Sequence, residues 1–198
     1  MTDRSTSIPE RIKHLLRVVP DFPTPGVRFI DIAPVIADAE LLPLLQNGMA
    51  EPFIGAGITH VLGIETRGLF FAGAIAAALD AGLVAVRKPG KLPPPVLAAK
   101  GTIMDSEQVG GLATIDPSRG STYQKPYEFQ IAKDLIGKGS RVLVVDDLLA
   151  KGGSLHACAN LVRQADAEIA GASFVIELAG LGGRRVLEGT KIHALVSL

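Results

Sequence analysis

The segment RVLVVDDLLAKGGSLHACANLV, residues 141–162, limits the possible folds of this chain more than any other stretch. An apolar, β-branched run ends in two acidic residues, a turn of small residues follows, and apolar residues then recur at helical spacing. This order predicts a strand over 141–147 that leads through a turn into a helix over 154–165. In a parallel sheet, such a unit places its turn at the carboxyl edge, where ligands bind.

The rest of the chain repeats this alternation of strand and helix. Short apolar runs predict strands at 60–64, 83–87, 172–179 and 192–198. Apolar spacing predicts helices at 8–19, 40–54 and 70–81, the last stopped by Gly82, and a short helix at 182–189. Alternating strands and helices indicate an α/β fold over residues 1–198, with one mostly parallel central sheet flanked by helices.

The acidic pair and the turn after it suggest what this edge could bind. Carboxylates at Asp146 and Asp147 can accept hydrogen bonds from the two hydroxyls of a ribose. Gly152 and Gly153 would let the backbone approach a phosphate closely, with Ser154 near the start of a helix whose N–H groups favour an anion. The alternative is two solvated aspartates and a flexible turn. Neither a Walker-type G-x-x-x-x-G-K-[ST] nor a G-x-G-x-x-G motif occurs.

Composition excludes several other classes of protein. The 198 residues include 20 Lys plus Arg and 20 Asp plus Glu, and nucleic-acid binders usually carry a basic excess, so we expect no nucleic-acid partner. Cys158 is the only cysteine, which excludes an internal disulfide and fits a reducing cytoplasm. The longest nearly apolar run, 69–79, is too short to span a bilayer. We therefore expect a cytoplasmic chain with no membrane partner.

Four segments together resemble a known family. VLVVDDLLAKGGS is similar to the phosphoribosyl diphosphate motif of type I phosphoribosyltransferases. VPDFPTPGVRFIDIAPVI, GIETRGLFFAGAIA and VAVRKPGKLP narrow the resemblance to the adenine phosphoribosyltransferases, in the order and approximate spacing of that family. The resemblance covers roughly residues 10–93 and 128–198.

This resemblance implies a fold and a reaction. The fold is that of the type I phosphoribosyltransferases, with a small N-terminal hood over the base and a long lid loop at about 89–127. The reaction transfers the 5-phosphoribosyl group from phosphoribosyl diphosphate to adenine and gives AMP and diphosphate. The family also implies a homodimer, and Mg²⁺ held through substrate oxygens and water with no direct protein ligand.

The resemblance also assigns roles to individual residues. The phosphoribosyl diphosphate would contact cations, acids and turn residues, namely Arg67, Arg87, Lys88, Lys91, Asp146, Asp147, Ala150, Lys151, Gly152, Gly153 and Ser154. Arg28, Phe29 and Ile30 would line the base pocket, with Phe29 as the stacking face, and Leu181 would touch the base. For Phe29 and Leu181, ordinary core packing stays open. Glu65 would hold an arginine or a magnesium-bound water, and a structural salt bridge is an equal alternative.

The chain departs from the family pattern in three places. Lys151 stands where threonine is usual, and Arg28 stands where an aliphatic residue is more familiar. The lid is longer by roughly twenty residues and has no Glu-Tyr-Gly element, whose glutamate is expected to manage a purine ring proton. Glu128 is the nearest positional match for that catalytic glutamate, and an exposed strand residue is the alternative.

These departures keep two other functions open. Arg28 and the altered lid would suit a phosphoribosyltransferase for another base. Lys151 and the missing Glu-Tyr-Gly would suit a regulator that binds phosphoribosyl diphosphate without catalysis.

Overall fold

The structure is a computed structural model that describes residues 7–22, 25–26, 28–101 and 127–198, with Tyr127 described by its backbone alone. The strands are β1 (Arg17–Pro20), β2 (Arg28–Asp31), β3 (His60–Ile64), β4 (Gly82–Val86), β5 (Val96–Gly101), β6 (Tyr127–Ala132), β7 (Arg141–Leu149), β8 (Glu168–Glu177) and β9 (Ile192–Ser197). The α-helices are α1 (Ile8–Leu15), α2 (Ala33–Ile36), α3 (Leu41–Ala50), α4 (Gly68–Ala78) and α5 (Gly153–Gln164). Short 3₁₀ helices are Glu51–Phe53, Ala179–Leu181 and Gly183–Leu187.

The central sheet of the described residues has five parallel strands in the order β4-β3-β7-β8-β9. Because all five run in one direction, their carboxyl ends share one edge, and the loops that follow β3, β4, β7 and β8 meet there. The predicted α/β class and mostly parallel sheet are confirmed. β7 continues to Leu149, two residues beyond the predicted strand, so both acidic residues lie inside it.

Two apolar layers cover the sheet, one on each face. On one face, α1, α3 and α4 bury a cluster that includes Ile12, Leu45 and Phe71. On the other face, α5 and the β5–β6 pair bury Cys158 and Phe129. Cys158 is therefore a core residue, as its place in the helical pattern indicated. No helix among the described residues is long and apolar enough to cross a membrane.

The N-terminal segment forms the predicted hood, but its secondary structure differs from the prediction. The predicted helix over 8–19 ends at Leu15, and Arg17–Pro20 instead pairs antiparallel with Arg28–Asp31. Arg17 also forms an ion pair with Asp31 across the two strands. Since apolar spacing alone continues through Val19, only this pairing partner decides that the chain leaves the helix.

Helix α4 begins and ends earlier than predicted. It starts at Gly68 and ends at Ala78, and the chain turns at Asp80, which has a φ of 51°. Gly82 is the first residue of β4 and does not stop the helix. The close approach of α4 to β7 fixes the early start, because a Cβ at Gly68 would lie 2.5 Å from the Val145 carbonyl oxygen.

The predicted lid is only partly within the described residues. Val96–Gly101 is strand β5, paired antiparallel with β6, so the lid is not structureless from 89 onward. This strand packs against α5, where a Cβ at Gly101 would lie 2.0 Å from the Gly153 carbonyl oxygen. The strand lacks a clear alternating pattern in the sequence, and its contact with α5 explains its formation. Residues 102–126 of the lid lie outside the described residues.

Candidate active site

The acidic pair stands at the carboxyl edge of the sheet, as the sequence predicted. Asp147 is buried, and its Oδ2 atom lies 2.7 Å from Nε of Arg67, which precedes α4. The Asp147 backbone N–H donates to Oδ1 of Asp146 at 2.9 Å. Arg67 is thus held by one of the two carboxylates that the sequence assigned to the ribose.

The two carboxylates repel each other in a poorly solvated place. Desolvation and the adjacent Asp147 carboxylate raise the pKa of Asp146 well above its usual value, and Arg67 offsets only part of this effect. One arginine therefore leaves negative charge at the edge unbalanced. A ligand that brings a cation or hydroxyl donors to this edge would relieve that repulsion.

The turn between β7 and α5 is built to receive an anion. Gly152 has a φ of 80°, and α5 begins at the next residue, with the first helical bond from the His156 N–H to the Gly152 carbonyl. Gly152 at the cap position has no side chain to cap this helix, and the first N–H groups, including that of Ser154, have no partner within the helix. Ser154 is the second residue of the helix, and Gly152 occupies the cap position.

Lys151 lies in this turn, immediately before the left-handed Gly152. It is half-buried and forms no ion pair with the residues that the structure describes. An unpaired, half-buried cation beside the positive end of a helix raises the local potential for anions. The substitution of lysine for the family's threonine therefore adds charge of the sign that a phosphate requires.

Glu65 organises the second group of cations. Its Oε2 atom accepts from Nε of Arg87 at 3.0 Å and from the Lys88 backbone N–H at 2.8 Å. The Lys88 N–H, followed by Arg87, lowers the pKa of the Glu65 carboxyl. Glu65 therefore holds an arginine, one of the two roles expected for it. Lys88 and Lys91 are exposed on the loop that follows.

The hood places an aromatic face beside these charges. Phe29 is half-buried, its ring meets Phe22 edge-on at 5.2 Å between centroids, and Cζ of Arg67 lies 5.4 Å from its centroid. Arg28 is exposed and Ile30 is buried. Leu181 is 7% exposed and belongs to the same apolar cluster as Ile30, so it is mainly a core residue behind the hood.

The structure does not bring Glu128 to this edge. Glu128 pairs with Lys100 in the β5–β6 sheet and lines a cleft of about 560 Å³ with Asn160, Arg163 and Gln164. These helix residues lie seven or more positions after the start of α5, or about 10 Å along its axis. This placement gives no support to proton transfer by Glu128, which stays a prediction from the sequence.

Sequence reasoning missed three residues around the site. Phe22 supports Phe29, and Asp31 accepts from the Ala33 N–H and from Arg17, contacts that lower its pKa. Glu177 is the last residue of β8, at the same sheet edge as the acids of β7, and it binds Arg184. An acid that closes an apolar strand at the ligand edge was the available signal for Glu177. Phe22 and Asp31 gave none, because their roles depend on the hairpin.

Known proteins resemble this chain over nearly its whole length. Residues 44–188 match the family described as phosphoribosyl transferase domain. An adenine phosphoribosyltransferase of Mycolicibacterium vanbaalenii is 41% identical over 191 residues, which cover 96% of this chain and 98% of that relative.

Solved structures agree with this resemblance. The crystal structure of adenine phosphoribosyltransferase from Rhodothermus marinus has a TM-score of 0.81 and 38% identity, covering 96% of this chain and 98% of that one. The enzyme from Saccharomyces cerevisiae, in complex with an imino-altritol bisphosphate and adenine, has a TM-score of 0.76 and 32% identity, covering 95% and 98%.

The acidic pair predicts opposite effects for two matched substitutions. Asp146→Asn removes a carboxylate with a raised pKa. Near pH 8 the free energy of unfolding of this variant should therefore equal that of wild type or exceed it by roughly 1 kcal/mol. Asp147→Asn leaves Arg67 without its partner and should cost about 1–2 kcal/mol, less than a fully buried pair because Arg67 is partly solvated. Urea unfolding measures both.

The pH dependence separates repulsion from packing. The folded chain holds the Asp146 proton more tightly than the unfolded chain, so the stability of wild type falls as pH rises above about 4, the unfolded value. The advantage of Asp146→Asn should therefore grow from pH 5 to pH 8. An advantage that does not change with pH, or equal losses in both variants, would contradict this account.

Proposed function

The chain belongs to the adenine phosphoribosyltransferase family, and on this premise we propose that it transfers the 5-phosphoribosyl group of phosphoribosyl diphosphate to adenine, giving AMP and diphosphate in purine salvage. One observation supports this proposal most directly. An acidic pair, the start of a helix without a side-chain cap at Gly152, and arginines held by acids lie together at one edge of the sheet. These groups match a ribose, a 5-phosphate and a diphosphate respectively. We assign the whole chain, 1–198, to one such domain.

The ribose phosphate would lie between β7 and α5. The carboxylates of Asp146 and Asp147 accept hydrogen bonds from the ribose hydroxyls, and the free N–H groups after Gly152 bind the 5-phosphate, with Ala150 and Gly153 as close backbone neighbours. The two contacts hold the sugar by its hydroxyls and by its 5-phosphate. The anomeric carbon takes part in neither contact and is left free to face the base and the diphosphate.

Arg67 would change partners when the substrate binds. In the structure it pairs with Asp147 and lies over Phe29. Ribose hydroxyls offer Asp147 other donors, while a diphosphate offers the guanidinium a more highly charged anion with bidentate geometry. Arg67 would then bind the diphosphate together with Arg87, Lys88 and Lys91, and its movement would free the ring face for adenine.

The protein's contribution to the reaction is electrostatic. The bond from the anomeric carbon to the diphosphate oxygen breaks, a bond to the adenine ring nitrogen forms, and that nitrogen loses its proton. Positive charge develops on the sugar and negative charge on the diphosphate. The Asp146–Asp147 pair stabilises the first, and the cations around Glu65 stabilise the second.

The acidic edge also fits Mg²⁺, a hard cation that keeps several waters and takes one or two carboxylates together with substrate oxygens. The raised pKa of Asp146 reflects negative charge that such a cation would offset. Asp146 and Asp147 would hold it through ribose hydroxyls and water. When bound, it neutralises the leaving diphosphate.

Base selection would depend on the hood backbone. Because the Arg28 side chain is exposed, we expect it to stay out of the pocket that main-chain groups around Phe29 and Ile30 would form. An arginine at position 28 is therefore compatible with adenine. A preference for another base stays the first rival, and loss of catalysis with retained phosphoribosyl diphosphate binding stays the second, motivated by Lys151.

We further propose a homodimer that works in the cytoplasm. The single Cys158 is buried and suits a reducing compartment. Phe70 of α4, Leu44 of α3 and Ile54 after it expose large apolar side chains on neighbouring elements. Such side chains favour burial against a second copy. A chain that sediments as a monomer at micromolar concentration would contradict the dimer.

The first prediction concerns activity. Adenine, Mg²⁺ and phosphoribosyl diphosphate should give AMP and diphosphate in stoichiometric amounts, with hypoxanthine and guanine much slower and with little product in EDTA. Turnover with another base in preference would replace adenine by the first rival. Calorimetric binding of phosphoribosyl diphosphate without turnover of any base would leave only the regulator.

The second prediction concerns Lys151. Lys151→Gln should raise KM for phosphoribosyl diphosphate about tenfold, because a charge-assisted hydrogen bond exceeds a neutral one by roughly 1 kcal/mol and a nearby cation adds to it. The variant should also weaken the dependence of KM on salt. Lys138→Gln removes the same charge from the opposite edge and is the control. Equal KM values and salt slopes in both variants would mean that Lys151 points away from the phosphate.

A further inference from the structure

The segment after β8 lies directly against residues 150–153. We name these residues the phosphate-binding turn, because the proposed function places the 5-phosphate there. We name residues 179–187, which contain two 3₁₀ helices, the supporting turn. A Cβ at Gly183 would lie 2.3 Å from the Ala150 carbonyl oxygen, and one at Gly152 would lie 2.6 Å from Cγ2 of Val186. Even a methyl group does not fit between the two segments. A shift of the supporting turn toward residues 150–153 would therefore press on their backbone.

One arginine fixes the supporting turn to the sheet. Arg184 donates from Nε and Nη2 to the two carboxylate oxygens of Glu177, at 2.6 Å each. Its Nη1 donates to the Ile192 carbonyl oxygen at 2.6 Å. Glu177 is 6% exposed, so its carboxylate depends on this partner. Glu177 lies opposite Leu149, the last residue of β7 before the phosphate-binding turn.

We propose that Arg184 is a positioning residue for the 5-phosphate, acting through Glu177 and the supporting turn on the backbone of residues 150–153. This inference rests on the proposed function only in the identity of the ligand. Three N–H groups of Arg184 donate to Glu177 and Ile192 within the fold, so we assign it a positioning role and not a catalytic one. Its planar group fixes the distance between strand end and turn in a way that a single lysine contact cannot reproduce.

A second arginine–glutamate pair, at the other end of β8, separates positioning from stability. Nη1 of Arg141 donates to both carboxylate oxygens of Glu168 at 2.7 Å, joining the first residues of β7 and β8. This pair has the same charged groups, but it joins β8 to β7 at the amino edge. Removing it should affect folding without affecting the phosphate-binding turn.

Leu181 of the supporting turn also belongs to the apolar cluster that contains Ile30 of the hood. A general loosening of the site would therefore weaken the binding of adenine as much as that of phosphoribosyl diphosphate. Loss of a positioning contact for the 5-phosphate should instead weaken mainly the binding of phosphoribosyl diphosphate, because Gly152 and Ala150 contact the supporting turn directly.

The test compares Arg184→Gln, Arg184→Lys and Glu177→Gln with Arg141→Gln, using full-length chain and Mg²⁺. Calorimetry measures Kd for phosphoribosyl diphosphate, steady-state assays measure KM for both substrates and kcat, and thermal unfolding gives the stability of each variant. We expect Arg184→Gln to weaken phosphoribosyl diphosphate binding on the order of tenfold, with KM for adenine changed less than threefold. Arg184→Lys should recover only part of the loss.

A double variant adds a check on the mechanism. The double variant Arg184→Gln with Glu177→Gln should bind phosphoribosyl diphosphate no worse than either single variant, because both substitutions break the same ion pair. Arg141→Gln should bind like wild type even if its unfolding temperature falls as far. The proposal would be overturned if the variants bound both substrates equally more weakly. It would also be overturned if Kd followed the unfolding temperature across all variants.

The outcomes also separate this inference from the proposed function. If wild type turns over adenine and Arg184→Gln binds normally, the positioning role is wrong and the function stands. If wild type binds phosphoribosyl diphosphate without turnover, the enzyme is wrong and the Kd series still decides the role of Arg184. A wild-type chain that does not bind phosphoribosyl diphosphate overturns both.

Discussion

The ion pair between Arg67 and Asp147 joins the three parts of the molecule that meet at the ligand edge. Arg67 follows β3, Asp147 belongs to β7, and the Arg67 guanidinium lies over Phe29 of the hood. The pair exists because a parallel sheet brings the ends of β3 and β7 side by side and because Gly68 lets α4 begin against β7. Under the proposed function, opening this ion pair would change how the site binds the sugar, the diphosphate and the base.

Charges of both signs alternate along this edge, and each tends to hold another in place. Asp147 holds Arg67, Glu65 holds Arg87, and Glu177 holds Arg184. Arginine suits such pairs because its planar group can donate two hydrogen bonds at fixed geometry, as Arg184 does to Glu177. Fixed side chains cost little reorganisation when a ligand arrives, which is the condition for electrostatic stabilisation of a transition state. Asp146 is the exception, and its raised pKa marks where positive charge is still needed.

Prediction from sequence succeeded where a pattern is local. Short β-branched runs identified every strand of the central sheet, and the order of apolar strand, acids and glycines located the turn before α5. Errors came where a distant segment decides. Residues 17–19 continue a helical pattern but pair with β2, and the strand at 96–101 forms against β6 and α5. The role of Glu128, which was assigned by position along the chain, stays a prediction, and Glu128 lies beside the last turns of α5.

The sequence by itself determined the α/β class, the acidic pair near the carboxyl end of a strand, and the glycines of the turn before α5. These follow from side-chain periodicity and from backbone freedom at single residues, both of which are written in adjacent positions. Only the tertiary structure decided which charges meet: Arg67 with Asp147, Arg87 with Glu65, and Arg184 with Glu177. Ion pairs depend on distances between strand ends that are far apart in the chain, and parallel packing with its close glycine contacts sets those distances.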